Sequence, residues 1–155
     1  MITCNFENGN KAALRHVVAD GIVIRGNEIL LVKRSIKHSE AGKYGLPGGF
    51  LDRDETVKEG IIREVLEETG YKCAVDNLFR INDNPERPAE DRQNVEFVFL
   101  LSVLGKTGKS DDEVSGVYWF DLDKLPSPER FAFDHYQTLE LYLKYKEEKT
   151  NLPIF

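Results

Sequence analysis

The chain has little that could hold it together covalently or tie it to a membrane. Its 155 residues include two cysteines, Cys4 and Cys73. They form no CxxC pair and have no histidine at zinc spacing, so two reduced thiols are expected rather than a disulfide framework or a zinc site. No stretch approaches the roughly 18 consecutive apolar residues of a membrane span. The opening MITCNFENGNK has no apolar core of the kind a secretory signal needs. The expected compartment is the cytoplasm, with no membrane partner. Positive charge is also scarce: 21 Lys and Arg stand against 27 Asp and Glu, a formal charge of −6. That removes the global field by which a protein gathers nucleic acid or anionic lipid, and no nucleic-acid partner is expected. A chain of this charge that handles phosphates needs cations or a few placed Lys and Arg. Internal repeats and low-complexity linkers are absent too. The apolar share of 41% and charged share of 31% are globular, so residues 1–155 are read as one domain.

Val17 to Ile24 is an apolar, β-branched run, Arg25-Gly26-Asn27-Glu28 supplies a turn, and Ile29 to Val32 is a second run. This predicts a β-hairpin. Residues 34–45 read as a loop, and Leu46-Pro47-Gly48-Gly49-Phe50 is too short and Gly-rich for a helix. From Thr56 the period changes: Val57, Ile61 and Val65 recur at i, i+4 and i+8, with Ile62 and Leu66 widening the stripe. Thr56 and Glu59 form a capping box, and Gly70 stands where a helix ends. The spacing predicts a helix over 57–69. Strands are predicted near 72–79, 95–104 and 114–120, with polar loops at 82–94 and 109–113. A closing helix over 131–146 would bury Tyr136, Leu139, Tyr142 and Leu143. Strands, a central helix, more strands and a terminal helix predict an α/β/α sandwich around a mixed β-sheet.

The central helix breaks two local rules. Glu64, Glu67 and Glu68 stand at i, i+3 and i+4, so three like charges share one face. They also sit near the C-terminal end, where the helix dipole disfavours anions. A hard divalent cation relieves both, because Mg2+ takes carboxylates, water and substrate phosphates as ligands. A solvated acidic face is the plainer reading of such a triplet. The surroundings favour the first: Gly48-Gly49 lets backbone approach a ligand without a Cβ, Arg63 can reach back to Glu55, and Gly60 suggests close packing on the helix.

Gly49, five residues, Glu55, seven residues, then Arg63-Glu64-Val65-Leu66-Glu67-Glu68-Thr69-Gly70-Tyr71 resembles the Nudix box at every fixed position. The flanks Leu30-Leu31-Val32-Lys33-Arg34, Leu46-Pro47-Gly48-Gly49-Phe50 and Trp119-Phe120-Asp121-Leu122 are similar to the corresponding Nudix segments. The resemblance covers Val17 to the final helix and leaves residues 1–12 as an N-terminal extension. It implies Mg2+- or Mn2+-dependent hydrolysis of a diphosphate bond in a nucleoside diphosphate linked to another moiety. Carried over by position, Glu64 and Glu68 are metal ligands, Glu67 is a ligand or the base acting on water, and the Gly48 carbonyl is a further ligand. Glu55 and Arg63 become a structural pair. Glu113 is implied as another metal ligand, base or substrate contact.

Substrate choice lies outside the box. Arg34 is the first candidate for a phosphate contact, with Arg15 and His16 behind it, and Tyr44, Phe50 or Phe133 could stack on a base. The proline-bearing loop at 85–88 and the segment Phe131-Ala132-Phe133-Asp134-His135 are similar to small ADP-ribose pyrophosphatases, which favours ADP-ribose or another nucleoside diphosphate sugar. The extra N-terminal sheet of many dimeric members is not expected, and a homodimer stays open. The alternatives are a MutT-like nucleoside triphosphate hydrolase, a catalytically inactive nucleotide-binding module, and an RNA-end processing enzyme, which the charge disfavours.

Overall fold

A computed structural model describes residues 2–37, 39–89, 92–110 and 113–155. Positions 38, 90, 91, 111 and 112, which fall in the three polar loops, lie outside that description. The elements run β1 (Ile2–Asn5), β2 (Lys11–Leu14), β3 (Val17–Arg25), β4 (Glu28–Arg34), β5 (Tyr44–Gly45), β6 (Gly48–Phe50), α1 (Val57–Thr69), β7 (Tyr71–Asn82), β8 (Val95–Lys106), β9 (Val114–Asp121) and α2 (His135–Glu147).

The main sheet has the order β5-β4-β3-β8-β7, with β6 added to β3 and β9 to β4. β3 and β8 run parallel while the other pairs are antiparallel, so the sheet is mixed as expected. Pairing between β3 and β4 is confined to Ile24–Ile29 and Arg25–Glu28, next to the turn. The other end of β3 pairs with β6 instead, through Val18–Phe50, Ala19–Gly49 and Asp20–Gly48. This divergence opens a gap beside the Gly-Gly turn.

Alternation along β3 then assigns two cores, because successive side chains point to opposite faces. Ala19 and Val23 pack with Ile61 and Val65 of α1 and with Phe99 and Leu101. Ile22 packs with Val98, Leu139 and Tyr142 of α2. One helix therefore covers each face, and the architecture is the α/β/α sandwich read from the sequence. Gly21 is what lets α1 lie close: a Cβ there would stand 2.8 Å from Leu101 Cδ1 and 3.3 Å from Val65 Cγ2.

α1 has the predicted bounds and caps. Thr56 and Glu59 bond each other's backbone N–H in a reciprocal capping box, and Gly70 closes the helix in the left-handed conformation at φ 73°. Two expectations are corrected. α2 begins at His135 rather than Phe131, because residues 128–130 form a separate 3-10 turn and Asp134 takes the cap position. Leu139 and Tyr142 are buried as foreseen, with Tyr136 and Leu143 packed at the core edge. The extension over 1–12 is expected to bring no extra N-terminal sheet, yet β1 and β2 form a two-stranded antiparallel hairpin with Ile2 and Leu14 paired and exposed. No described strand of the main sheet pairs with it.

Candidate active site

The gap beside β6 is the mouth of a cleft of about 550 Å3, lined on one side by Glu64, Glu67 and Glu68 of α1 and by Gly48 and Gly49. The turn and the helix are interlocked. The Gly48 N–H donates to Glu68 Oε2 at 2.9 Å, and a Cβ on Gly49 would stand 2.6 Å from the Glu64 carboxyl carbon. At Gly48 a Cβ would meet the Ala19 carbonyl oxygen at 2.2 Å and Asp20 Oδ1 at 2.4 Å. Bare backbone is the one solution that lets β3, the turn and the helix carboxylates meet. Burial pushes the Glu64 carboxyl above the usual range, with Arg63 working against it and Glu67 and Glu113 adding to the rise.

Arg63 organises the acidic side. Its Nη2 and Nε donate to the two oxygens of Glu55 at 2.7 and 3.1 Å, and its Nη1 reaches Glu64 at 2.8 Å and Glu67 at 3.1 Å. Nη2 also donates to the Phe50 carbonyl at 3.1 Å. Glu55 in turn accepts from the Asp52 N–H at 2.8 Å, so the loop before α1 is bonded to it. The hydrogen bond from Arg63 holds the Glu55 carboxyl below its usual range, and the same bond holds the guanidinium more firmly protonated. Gly60 faces this loop: a Cβ there would stand 3.0 Å from Glu55 Oε1 and 3.1 Å from Leu51 Cδ1.

The remaining sequence candidates separate into two groups. Arg34, Glu113, Phe50 and Phe133 line the cleft. The Arg34 guanidinium lies 5.0 Å over the Phe133 ring and donates from Nε to the Ser39 carbonyl at 2.8 Å. Arg92, from the 82–94 loop, lies 5.1 Å over Phe50. Arg15, His16 and Tyr44 are not among the lining residues. Arg15 is directed to backbone, with Nη2 donating to the carbonyls of Asp83 at 2.7 Å and Asn94 at 3.1 Å and Nε donating to Gln93. It therefore clamps the neck of the 83–94 loop rather than facing the cleft. His16 packs at a tilt against Phe50 with ring centroids 5.1 Å apart, and Tyr44 is buried among Tyr118, Phe120 and Phe131.

Sequence reading missed a buried polar group next to the Gly-Gly turn, where Asp20 pairs with Gly48 and His135 bonds Leu46. Asp20, Asn82, Arg87, Glu96, Asp134 and His135 are all buried, and Asp20, Arg87 and His135 line the cleft. Arg87 donates to Asp134 at 2.6 Å and to Glu96 at 3.0 Å, while Asn82 Nδ2 donates to Asp134 at 2.8 Å and Glu96 at 3.1 Å. Burial works against the charge of Arg87, but Glu96 and Asp134 more than offset it. Burial likewise opposes the Asp134 carboxylate, and the bonds from Arg87 bring it below its usual range. The Asp20 carboxyl goes the other way, pushed well up by burial and by Glu96 beside it. Ligand atoms of Asp20, Glu96 and His135 lie within 4.8 Å of one another. Both Glu96 oxygens are already taken, by Arg87 and by Asn82, and the guanidinium alongside disfavours a cation, so the group reads as an internal network. The available signal was a charged residue inside apolar strands: Asp20 in Val17–Ile24 and Glu96 at the start of β8.

His135 has a defined tautomer and charge. Its Nδ1 accepts the Leu46 N–H at 2.9 Å, so that nitrogen carries no proton, and burial lowers its pKa from 6.5 to about 4. The unfolded chain then binds more protons than the folded one between those values. The folded state should lose stability as pH falls from 6.5 towards 4, by up to about 3 kcal/mol from this residue. Asp20, with its raised pKa, contributes the opposite slope. Comparison with His135→Asn isolates the histidine, since Asn can still accept the Leu46 N–H. Denaturant titrations over this pH range should give a shallower stability loss in the variant, and equal slopes would refute the assignment.

With that geometry in hand, comparison with known proteins is direct. Residues 14–142 match the family model described as the NUDIX domain. An ADP-ribose pyrophosphatase of Methanocaldococcus jannaschii is 37% identical over 130 residues, 84% of this chain and 74% of that one. The crystal structure of an ADP-ribose pyrophosphatase from Streptococcus suis superposes with a TM-score of 0.74 at 23% identity, over 92% of this chain and 99% of that one. A bifunctional NMN adenylyltransferase/ADP ribose pyrophosphatase from Francisella tularensis, complexed with AMP and a Mn ion, gives a TM-score of 0.67 at 27% identity, over 86% of this chain and 42% of that one. The chain belongs to the Nudix family, as a hydrolase acting on phosphorus-containing anhydrides.

Proposed function

We propose that the cleft hydrolyses the diphosphate bond of a nucleoside diphosphate sugar, ADP-ribose being the first candidate, in the presence of Mg2+ or Mn2+. The observation that carries this reading is the presence of two unlike sets of groups in one cleft. Glu64, Glu67 and Glu68 line it beside bare glycine backbone, and two arginine–aromatic pairs, Arg34 with Phe133 and Arg92 with Phe50, line it as well. The oxygen-only donor set of Glu64, Glu67, Glu68 and the Gly48 carbonyl suits a hard divalent cation. Bound there, it would supply neutralisation of diphosphate charge and Lewis acidity.

The chain's own residues do the rest. Glu67, half-exposed, accepts a proton from the attacking water, with Glu113, which also lines the cleft, as the second candidate for that role. Arg34 contacts a phosphate oxygen, and Phe50 and Phe133 flank the nucleoside. Glu55 and Arg63 hold the loop and helix in register.

The test compares kcat/KM for ADP-ribose with that for the common nucleoside triphosphates under one metal condition. At least a tenfold preference for ADP-ribose is expected, about 1.4 kcal/mol of transition-state discrimination. A tenfold preference for a triphosphate would overturn the substrate class. Turnover that persists in excess chelator would overturn the metal.

A further inference from the structure

We propose that Arg87 is a positioning residue for the nucleoside end of the cleft: through Asp134 and Glu96 it fixes the loop wall that carries Arg92 against Phe50. This rests on the functional reading above and extends it to residues outside the Nudix box.

Residues 83–89 and 92–94 are held at two levels. At the neck of the loop the guanidinium of Arg15 spans the carbonyls of Asp83, Gln93 and Asn94. Within the loop, Arg87 turns inward and is almost fully buried. It makes three hydrogen bonds to Asp134, at 2.6, 3.0 and 3.2 Å, and one to Glu96 at 3.0 Å. A planar fork bonded to two carboxylates fixes orientation as well as distance. Five residues further on, Arg92 lies over Phe50, and both face the cleft.

The surrounding chain departs from ordinary helix and loop chemistry to make this anchor. Asp134 occupies the cap position of α2 but gives no side-chain capping bond, because its carboxylate is committed to Arg87 and Asn82. Aspartate at that position ordinarily caps the helix. The residue before it, Phe133, sits in the left-handed region at φ 51°, where a bulky side chain is strained and where strain clusters at functional sites. That conformation coincides with placing Phe133 in the cleft wall under Arg34. His135, next in line, bonds the Leu46 N–H and so supports the turn that leads into Gly48. Three consecutive residues thus join the α2 terminus to the loop wall, to the aromatic pair and to the Gly-Gly turn. A buried ion pair is weak evidence of stabilisation, since apolar replacements often serve as well. Its placement against a ligand cleft accords with a positioning role.

The experiment measures ADP-ribose turnover by Arg87→Met, Arg87→Lys and Asp134→Asn. KM should rise about tenfold with kcat within about twofold of the parent, since the wall at the nucleoside end shifts while the box carboxylates stay in place. Lysine keeps the charge but loses the fork, so Arg87→Lys should resemble Arg87→Met, and it carries the test if Arg87→Met does not fold. Adding Arg92→Ala to Arg87→Lys should raise KM little further, because both changes remove the same wall. A fall in Tm and kcat with KM unchanged would make Arg87 merely structural and overturn the proposal. If the parent protein turns over no nucleoside diphosphate, the functional reading fails by itself. The inference is then read from the Tm rise given by AMP. A rise in the parent that is markedly reduced in Arg87→Lys supports it, and no rise, or an equal rise in both, overturns it.

Discussion

Glu68→Gln should keep its fold and lose about two to four orders of magnitude in kcat, the range spanned when a positioned acid–base or charge-stabilising group is removed. Glu68 is nearly buried and accepts the Gly48 N–H at 2.9 Å. Glutamine keeps an acceptor of the same reach for that N–H and discards the negative charge. The turn should therefore stay in place while the site loses an anionic oxygen. Tm should move by a few degrees at most, since the deleted charge lies near the helix C-terminus, where anions are unfavourable. Glu67→Gln should cost comparable turnover for another reason: an amide cannot accept the proton of an attacking water. Thermal stability with metal gives a second readout. Mg2+ or Mn2+ at millimolar concentration should raise the Tm of the parent by mass action and raise that of Glu68→Gln markedly less. Near-parental kcat in either variant would remove the corresponding role, and an unchanged Tm in the parent with metal and nucleotide together would argue for a solvated acidic face.

How much of this was legible in the sequence depends on the range of the interactions. α1 could be bounded to the residue because its determinants are local: the Thr56–Glu59 box spans four residues, and Gly70 supplies a backbone state that other residues reach only with strain. The site on α1 was legible for the same reason, since Arg63, Glu64, Glu67 and Glu68 share one helix and Glu55 is eight residues from Arg63. β5 and β6 escaped because they have two and three residues, too few to show a period, and their strand character comes from pairing with β4 and β3. The β1–β2 hairpin escaped because its apolar residues are few and exposed, so no buried face wrote an alternating pattern. Distance in the chain hid the rest. Arg87 and Asp134 are 47 residues apart and Arg15 and Asn94 are 79 apart. An arginine seen alone suggests phosphate, and three carbonyls from a distant loop are invisible until the fold brings them together.

Arg63→Ala should lower stability and turnover together. One guanidinium meets Glu55, Glu64 and Glu67 within 3.1 Å, besides the Phe50 carbonyl, and its side chain is 28% exposed. Its loss removes a bidentate pair and leaves three carboxylates that repel one another, two of them on adjacent turns of α1. A hydrogen-bonded charge of this kind contributes about 1.5–3 kcal/mol. For a domain of this size each kcal/mol corresponds to about 2–4 °C, so Tm should fall by about 3–12 °C. Divalent metal should recover part of that loss, because it neutralises Glu64 and Glu67 although it does nothing for Glu55. Turnover should fall at least about tenfold at saturating substrate, since Glu64 and Glu67 lose the donor they share. Arg63→Lys should recover little, because a single ammonium cannot bond Glu55 through two nitrogens and reach Glu64 as well. Thermal denaturation with and without Mg2+, beside steady-state kinetics, separates the possibilities. A variant with parental Tm and kcat but raised KM would make Arg63 a phosphate contact, and the structural pairing with Glu55 would fall.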